Sequence, residues 1–236
     1  YQKKYDDVIT VVDDLLKTTE TEIIPYSTLE KFISSDDVVY KVYNTNNPGM
    51  IFSWGKLDVD ATGFGYDLMR HSKAFFCASS ELIGLYDEGN DLRFSRYYDK
   101  YDFNNYDEGI FYVATKNYCK ASTANEAYDQ ALRLEEAYLN RAEAYIEKGE
   151  HELGMDDVNA IRAERIKGEY ELVANSVDEA REFYRLEKRL EFSFEGLRWF
   201  DIRRWGLEIE HLYQDYSTPT VINHYVLKAG SPNYVL

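Results

Sequence analysis

The 236-residue sequence predicts a mainly α-helical fold, built on tetratricopeptide-like helical hairpins and interrupted by a large irregular, loop-rich insertion. Three observations lead there. Apolar residues recur three or four apart near the N terminus and again from Ala127 onward, the period of an amphipathic helix. Between Met50 and Asn125 that period fades while glycines and Tyr/Asp/Asn clusters accumulate. A short turn at Gly149 joins two strongly helical stretches, which must therefore fold back on each other.

In chain order, "YQKKYDDVITVVDDLLKTTE" places Tyr5, Val8, Val12 and Leu15 on one helical face. It carries neither an initiator methionine nor an apolar leader, so the chain is expected to be a piece of a longer protein. Ser27 and Glu30 have the S-x-x-E spacing of a capping box, predicting a short second helix that "NTNNPG" (Asn44 to Gly49) terminates. "MIFSW" (Met50 to Trp54) reads as a strand, and "SSELIGLY" (Ser79 to Tyr86) as one or two helical turns. Thr123 and Glu126 form another capping pair. Ala127, Ala131, Leu134, Tyr138, Ala142 and Tyr145 then predict one continuous helix ending at Gly149. A partner helix follows from Glu150 to Ile166. Tyr138, Ala142, Tyr145, Gly149, Gly154 and Val158 fall where a tetratricopeptide unit places its large and small residues, the small ones allowing close helix approach. A third capping pair, Ser176 and Glu179, opens a helix with Phe183, Leu186, Leu190 and Phe194 on one side and Phe192 opposite. That helix is expected to be covered on two faces.

Composition narrows the function. Lys plus Arg number 27 against 43 Asp plus Glu, a net charge of −16, which opposes attraction to a phosphate backbone. Nucleic acid is therefore not an expected partner. No apolar run approaches the roughly 20 residues of a bilayer span. Cys77 and Cys119 lack metal-ligand spacing and are expected as two reduced thiols, with a disulfide the minority option.

The densest chemistry lies in "RLEKRLEFSFEGLRWFDIRRWG" (Arg185 to Gly206). Its charges alternate through Arg185, Glu187, Arg189, Glu191, Glu195, Arg198, Asp201, Arg203 and Arg204. Every arginine has a carboxylate within four positions, so pairing along the helix is expected in preference to an anion site. Trp199, Phe200 and Trp205 imply that part of this network is buried. Adjacent carboxylates such as Asp6/Asp7 and Glu135/Glu136 follow from composition and do not by themselves make a glycosidase. His71, His151, His211 and His224 lack zinc spacing, and "DEGND" (Asp87 to Asp91) lacks the ligand spacing of a calcium loop. No nucleophile, nucleotide or cofactor motif occurs, so neither catalysis nor a cofactor is expected.

What remains is a set of aromatics in irregular segments expected to be exposed: Trp54, Phe64, Tyr66, Tyr97, Tyr98, Tyr101 and Tyr106, with Asp102, Asn104 and Asn105 among them. Sugar rings stack on aromatic faces while Asn and Asp meet hydroxyls, so Trp54, Tyr66, Tyr101 and Tyr106 are the candidate stacking surfaces and Asn104 or Asn105 the hydroxyl readers. A loop packed on its own tyrosines would use the same residues.

"EAYLNRAEAYIEKGE…DDVNAIRAER" (Glu136 to Arg165) followed by "EFYRLEKRLEFSFEGLRWFDIRRWG" (Glu182 to Gly206) closely resembles the C-terminal half of SusD/RagB-type outer-membrane nutrient-binding proteins of Bacteroidetes. Matching positions include Ala142, Glu143, Tyr145, Asn159, Arg162, Arg189, Glu191, Glu195, Gly196, Arg198, Trp199, Asp201 and Arg204. "MIFSW" and "SSELIGLYDEGNDLRFSRYY" extend the likeness back to Met50. The resemblance implies one SusD-like domain fragment over 1–236. Its parts are N-terminal helices (1–49), an irregular binding-loop region (50–125), a helical scaffold (126–206) and a C-terminal tail (207–236). It further implies a non-catalytic lipoprotein on the extracellular face of the outer membrane. Such a protein captures glycan and delivers it to a TonB-dependent SusC-like transporter, and contacts the membrane only through an N-terminal lipid anchor that this sequence does not include. A peptide-binding RagB-like subunit, or a tetratricopeptide-like protein-interaction scaffold without a small ligand, is the alternative. Because the family's motif lies in its scaffold, the resemblance assigns no ligand contacts.

Overall fold

The computed structural model describes residues 2–29, 31–33, 38–40, 42, 47–54, 78–102, 110–116, 130–214 and 221–234. Among them the chain is mainly helical. Its helices are α1 (Tyr5–Thr18), α2 (Ser80–Ile83), α3 (Leu92–Tyr97), α4 (Leu134–Glu147), α5 (His151–Ala163), α6 (Val177–Glu191) and α7 (Arg198–Trp205). The strands are β1 (Lys31–Ile33), β2 (Val38–Tyr40), β3 (Met50–Trp54), β4 (Tyr98–Asp102), β5 (Ile110–Ala114), β6 (Gln130–Arg133), β7 (Ile209–Gln214) and β8 (Val221–Leu227). They pair as antiparallel ladders β1–β2, β3–β6, β4–β5 and β7–β8.

The α4–α5 hairpin forms for the reasons the sequence supplies. Gly149 takes a left-handed φ of +89°, which lets the chain leave α4 and re-enter a helix at once. A Cβ on Gly154 would lie 2.5 Å from Ile146 Cγ1 and 2.8 Å from the Ala142 carbonyl oxygen, so only glycine permits this approach of α5 to α4. At the start of α6 the Ser176 hydroxyl accepts from the Glu179 amide at 3.2 Å, as the capping pair predicts. The Glu179 carboxylate reaches one residue further back, accepting from the Asn175 amide at 2.7 Å.

Two predicted helices do not form as expected. Around Ser27 the chain makes a turn closed on the Pro25 carbonyl, with Tyr26 buried beneath it, and passes into β1. Among the described residues no helix follows Ser27, and Glu30 of the S-x-x-E spacing lies outside them. The helix expected from Thr123 begins only at Leu134, because Ala131 and Leu132 pair with Ser53 and Phe52 in the β3–β6 ladder. Cross-strand pairing outweighs alanine's helical preference there. Thr123 to Asp129 lie outside the described residues, as do Cys77 and Cys119. The 207–236 segment, expected as a tail, carries the β7–β8 ladder, and the Tyr234 hydroxyl returns to lie 2.7 Å from both the Ile202 and Leu207 carbonyl oxygens, between which its one proton is shared.

Helix α6 is covered on two sides, as its pattern predicts. Ala180 and Tyr184 join Leu139, Ala142, Ile146, Met155, Val158 and Ile161 in one apolar cluster, which also takes in Phe192. Leu190 joins a second, tyrosine-rich cluster with Tyr26, Tyr86, Phe94, Tyr97, Tyr98 and Val113. Phe194, beyond the helix at φ +63°, packs against the second cluster, while Leu186 stays 39% exposed.

Candidate functional site

Of the predicted ligand contacts, Trp54 ends β3 opposite Gln130, and Tyr101 lies in β4 opposite Phe111. Tyr66, Asn104, Asn105, Tyr106 and Phe64 lie outside the described residues. Tyr97 and Tyr98 are not exposed: they are 0% and 6% accessible, inside the tyrosine-rich cluster. Asp91 caps α3 by accepting from the Arg93 amide at 2.9 Å, and the helix it starts turns these rings inward. The Tyr97 and Tyr26 hydroxyls share a 2.7 Å hydrogen bond, and Tyr98 donates to Ser193 Oγ at 3.0 Å. Tyr86 donates to the Leu190 carbonyl at 2.8 Å. Burial pushes all four phenols above their ordinary range, so they pack the core as neutral hydroxyls.

The two ladders bearing Trp54 and Tyr101 are fastened to α6 by a buried ionic core. Arg133, the last residue of β6, donates to Glu191 Oε1 at 3.0 Å and to Glu195 Oε1 at 2.8 Å. Lys116, two residues beyond β5, donates to the Glu191 carbonyl at 2.5 Å and to the Glu195 carboxylate, with the Tyr97 ring 3.9 Å below it. Arg93 of α3 donates to Glu187 Oε1 at 2.5 Å and to Asp91 Oδ2 at 2.8 Å. Arg165, just past α5, reaches Glu135 at 2.5 Å and Glu191 at 3.1 Å, with its guanidinium 3.6 Å from the Tyr26 ring centroid. Burial disfavours the charge on Glu191, but Arg165, Arg133, Arg93 and Lys116 outweigh it and hold the carboxyl well below the usual range. Burial likewise pulls Lys116 down to about 8, against the opposing pull of Glu195. Matched to one another, with only Glu135 Oε2 lacking a hydrogen bond beside its 3.1 Å contact with Arg133, these charges are a fastening.

This arrangement corrects the expectation of pairing along the helix. Glu187, Glu191 and Glu195 find partners on α3, β6, α5 and the segments just after β5 and α5, from 25 to 98 residues away. Among the described residues, local pairing is seen at Asp201, which accepts from Arg204 at 2.7 Å, and nearer the start of α6 between Arg181 and Asp178 at 2.5 Å. Trp205 does lock the last helix down: its Nε1 donates to Glu143 at 3.3 Å and its ring meets Tyr184 edge-on at 6.0 Å. Arg204 and Tyr184 bind the same Glu143 carboxylate.

A cleft of about 460 Å³ opens where the α5–α6 connection passes the turn before α3. Leu85, Ile166 and Leu186 are among its lining, with the polar Asp87, Asn90 and Lys167. Among the described residues no group of three or more His, Cys, Asp or Glu side chains is placed to hold a metal.

The model of the SusD family matches residues 43–225. The chain belongs to the SusD family. Solved structures of SusD-like proteins share its fold. A SusD-like protein from Bacteroides fragilis superposes with a TM-score of 0.58 at 21% identity, over 97% of this chain and 56% of that one. A SusD-like carbohydrate binding protein from Bacteroides vulgatus gives 0.61 at 18%, over 95% of this chain and 47% of the other. A SusD superfamily protein from the same organism gives 0.65 at 20%, over 95% and 49%. This SusD-family chain thus spans about half the length of the solved relatives it matches. No curated protein sequence matches it significantly.

Proposed function

We propose that this chain is the C-terminal portion of a non-catalytic glycan-capture protein, held by a lipid anchor on the outer face of the outer membrane and delivering oligosaccharide to a SusC-like TonB-dependent transporter. The observation that carries the reading is the family match over residues 43–225, a span that includes every candidate ligand contact. The fold supports it: β3 and β4, the strands of Trp54 and Tyr101, belong to ladders bolted to α6 through Arg133 and Lys116. A rigid frame beneath aromatic loops is what stacking recognition needs, since a preorganised surface loses little entropy on binding. The α4–α5 hairpin, with its close approach at Gly154, acts in this reading as a tetratricopeptide-like unit of the frame. One solved relative is itself a carbohydrate binding protein.

Calorimetry of the full-length protein against a panel of neutral oligosaccharides tests this. At least one should bind without turnover, and Trp54→Ala, Tyr66→Ala, Tyr101→Ala and Tyr106→Ala should each weaken it, by about 1–3 kcal/mol if a full ring is stacked. Unchanged affinity across all four variants removes the site. Binding of peptides alone favours a RagB-like subunit, and stable co-purification with a transporter without any small ligand favours a pure interaction scaffold.

A further inference from the structure

A regular strand alternates its side chains, so "MIFSW" would turn Met50, Phe52 and Trp54 to the same side. The β3–β6 ladder does otherwise. Met50 faces Arg133 and Phe52 faces Leu132, so β3 advances two residues where β6 advances one, and Ile51 is the extra residue of a β-bulge. The side of Met50 and Arg133 is the inner one. Arg133 is 1% exposed in the ionic core, and Met50 packs against the tyrosine-rich cluster. Leu132, next to Arg133, therefore lies on the outer side, and the bulge brings Phe52 there with it. Their exposures are 42% and 55%. Two residues further on, Trp54 stands opposite Gln130, and the regular register after the bulge puts both positions on that same outer side.

The outer side has its own chemistry. β3 contains no charged residue, and neither Leu132 nor Gln130 is charged, in a chain that is 30% Asp, Glu, Lys and Arg. Two aromatic residues, an aliphatic one and an amide-bearing one thus come together with no ion among them. Positions 52 and 54 are about 7 Å apart along the strand, so they can meet neighbouring units of one ligand chain. The ladder is fixed at its inner end. The Leu134 amide donates to the Gly49 carbonyl at 2.8 Å, the Gly49 amide donates to Asn47 Oδ1 at 2.8 Å, and Arg133 is held by Glu191 and Glu195. A ring carried on such a strand loses little freedom on binding.

We propose that Phe52 is a sugar-stacking residue, and that with Leu132 and Trp54 it makes the outer side of the β3–β6 ladder a platform for a linear, neutral oligosaccharide of equatorially substituted rings. The inference rests on the glycan reading above. Equatorial hydroxyls lie around the rim of a sugar ring and leave C–H groups on both faces, the apolar surface that an aromatic face takes. The polar rim of a protein partner would find no ion on this side, and an acidic chain would be repelled by the net charge of −16. Phe52 stacks on the unit next to the one that Trp54 meets, and Leu132 widens the apolar area beside it.

The test is calorimetric titration of the full-length protein with glucose, cellobiose and cellotetraose, one, two and four units of an all-equatorial chain, alongside the oligosaccharide panel. Affinity should rise with length. Phe52→Ala should weaken cellotetraose about tenfold. Phe52→Leu keeps apolar bulk opposite Leu132 without a flat face and should lose as much, whereas Phe52→Tyr keeps the ring and should bind as wild type does. Melting curves establish which variants fold, and if alanine does not, the leucine and tyrosine variants decide. Tyr225→Ala, at another exposed aromatic, should change nothing. Full affinity in Phe52→Ala or Phe52→Leu overturns stacking at Phe52, and so does an equal loss in Tyr225→Ala. Binding of other neutral oligosaccharides without cellotetraose overturns this ligand class and leaves the glycan reading standing. Binding of no sugar at all removes both.

Discussion

On one face of α6, Ala180 and Tyr184 lie among Leu139, Ala142, Val158 and Ile161, in an apolar cluster within which α5 approaches α4 closely at Gly154. On another, Glu187 and Glu191 face Arg93, Arg133 and Arg165, all at 0–1% exposure. The apolar side gains from each buried area independently and can relax around a change. The ionic side behaves as a unit, because taking charges out of water is repaid only when every one is matched. The same helix is therefore held by one interface that degrades gradually and one that fails when any member is lost. Specificity of position comes with the second, since only one placement of β5, β6 and α3 satisfies all the charges.

The most direct way to break that contrast is Glu191→Gln, which leaves Arg93, Arg133 and Arg165 facing one another. It should cost about 3–5 kcal/mol in urea unfolding, and a loss below about 1 kcal/mol would mean that the ionic side relaxes as readily as the apolar one. Its pH dependence sharpens the point. Because the folded carboxyl lies well below its ordinary value of 4.5, the stabilisation is complete above that pH and drains away as pH falls below it. The wild-type acid limb should therefore be steeper than that of Glu191→Gln.

Next in size is Gly154→Ala on the apolar side. Helix propensity favours alanine by about 0.5–1 kcal/mol, but the clash with Ile146 and the Ala142 carbonyl should make the net change about 1–3 kcal/mol destabilising. A stabilised variant would show that α5 can move away from α4 without penalty. Tyr98→Phe removes the hydroxyl bonded to Ser193 and keeps the ring, so about 1 kcal/mol should be lost in thermal unfolding. Smallest is Arg189→Ala, whose Glu81 partner is 67% exposed. About 0.5 kcal/mol is expected, fading in high salt.

The α4–α5 hairpin was readable because its information is local: a 3.6-residue period, a left-handed glycine and a small residue at the crossing. The partners of Glu191 were not readable, because spacing along a helix reports only neighbours three or four positions away, whereas Arg93 comes from 98 residues upstream. The same blindness extended a helix through Ala131, where pairing with Ser53 decides the conformation. It also set Tyr97 and Tyr98 in an exposed loop, although Asp91 caps a helix that carries them into the core. The β7–β8 ladder did leave a sign in the sequence, β-branched Val221 and Ile222 after Thr218-Pro219-Thr220. In the candidate site the sequence read the strand of Trp54 but set Tyr101 in an irregular segment where a strand forms, and it could not see that charges hold both ladders in place.

The order in which the chain emerges during synthesis gives the ionic core a further property. Helices α4 and α5 are sequence neighbours and can dock as soon as residue 163 is made. Glu187 and Glu191 arrive later, after Arg93, Arg133 and Arg165 have all been synthesised. Until then those arginines have no acid from α6 to meet, and keeping them in water costs nothing while burying them would cost several kcal/mol each. The half-made chain is thus barred from closing its second core too early. Arrival of α6 both permits that closure and dictates which strands it gathers.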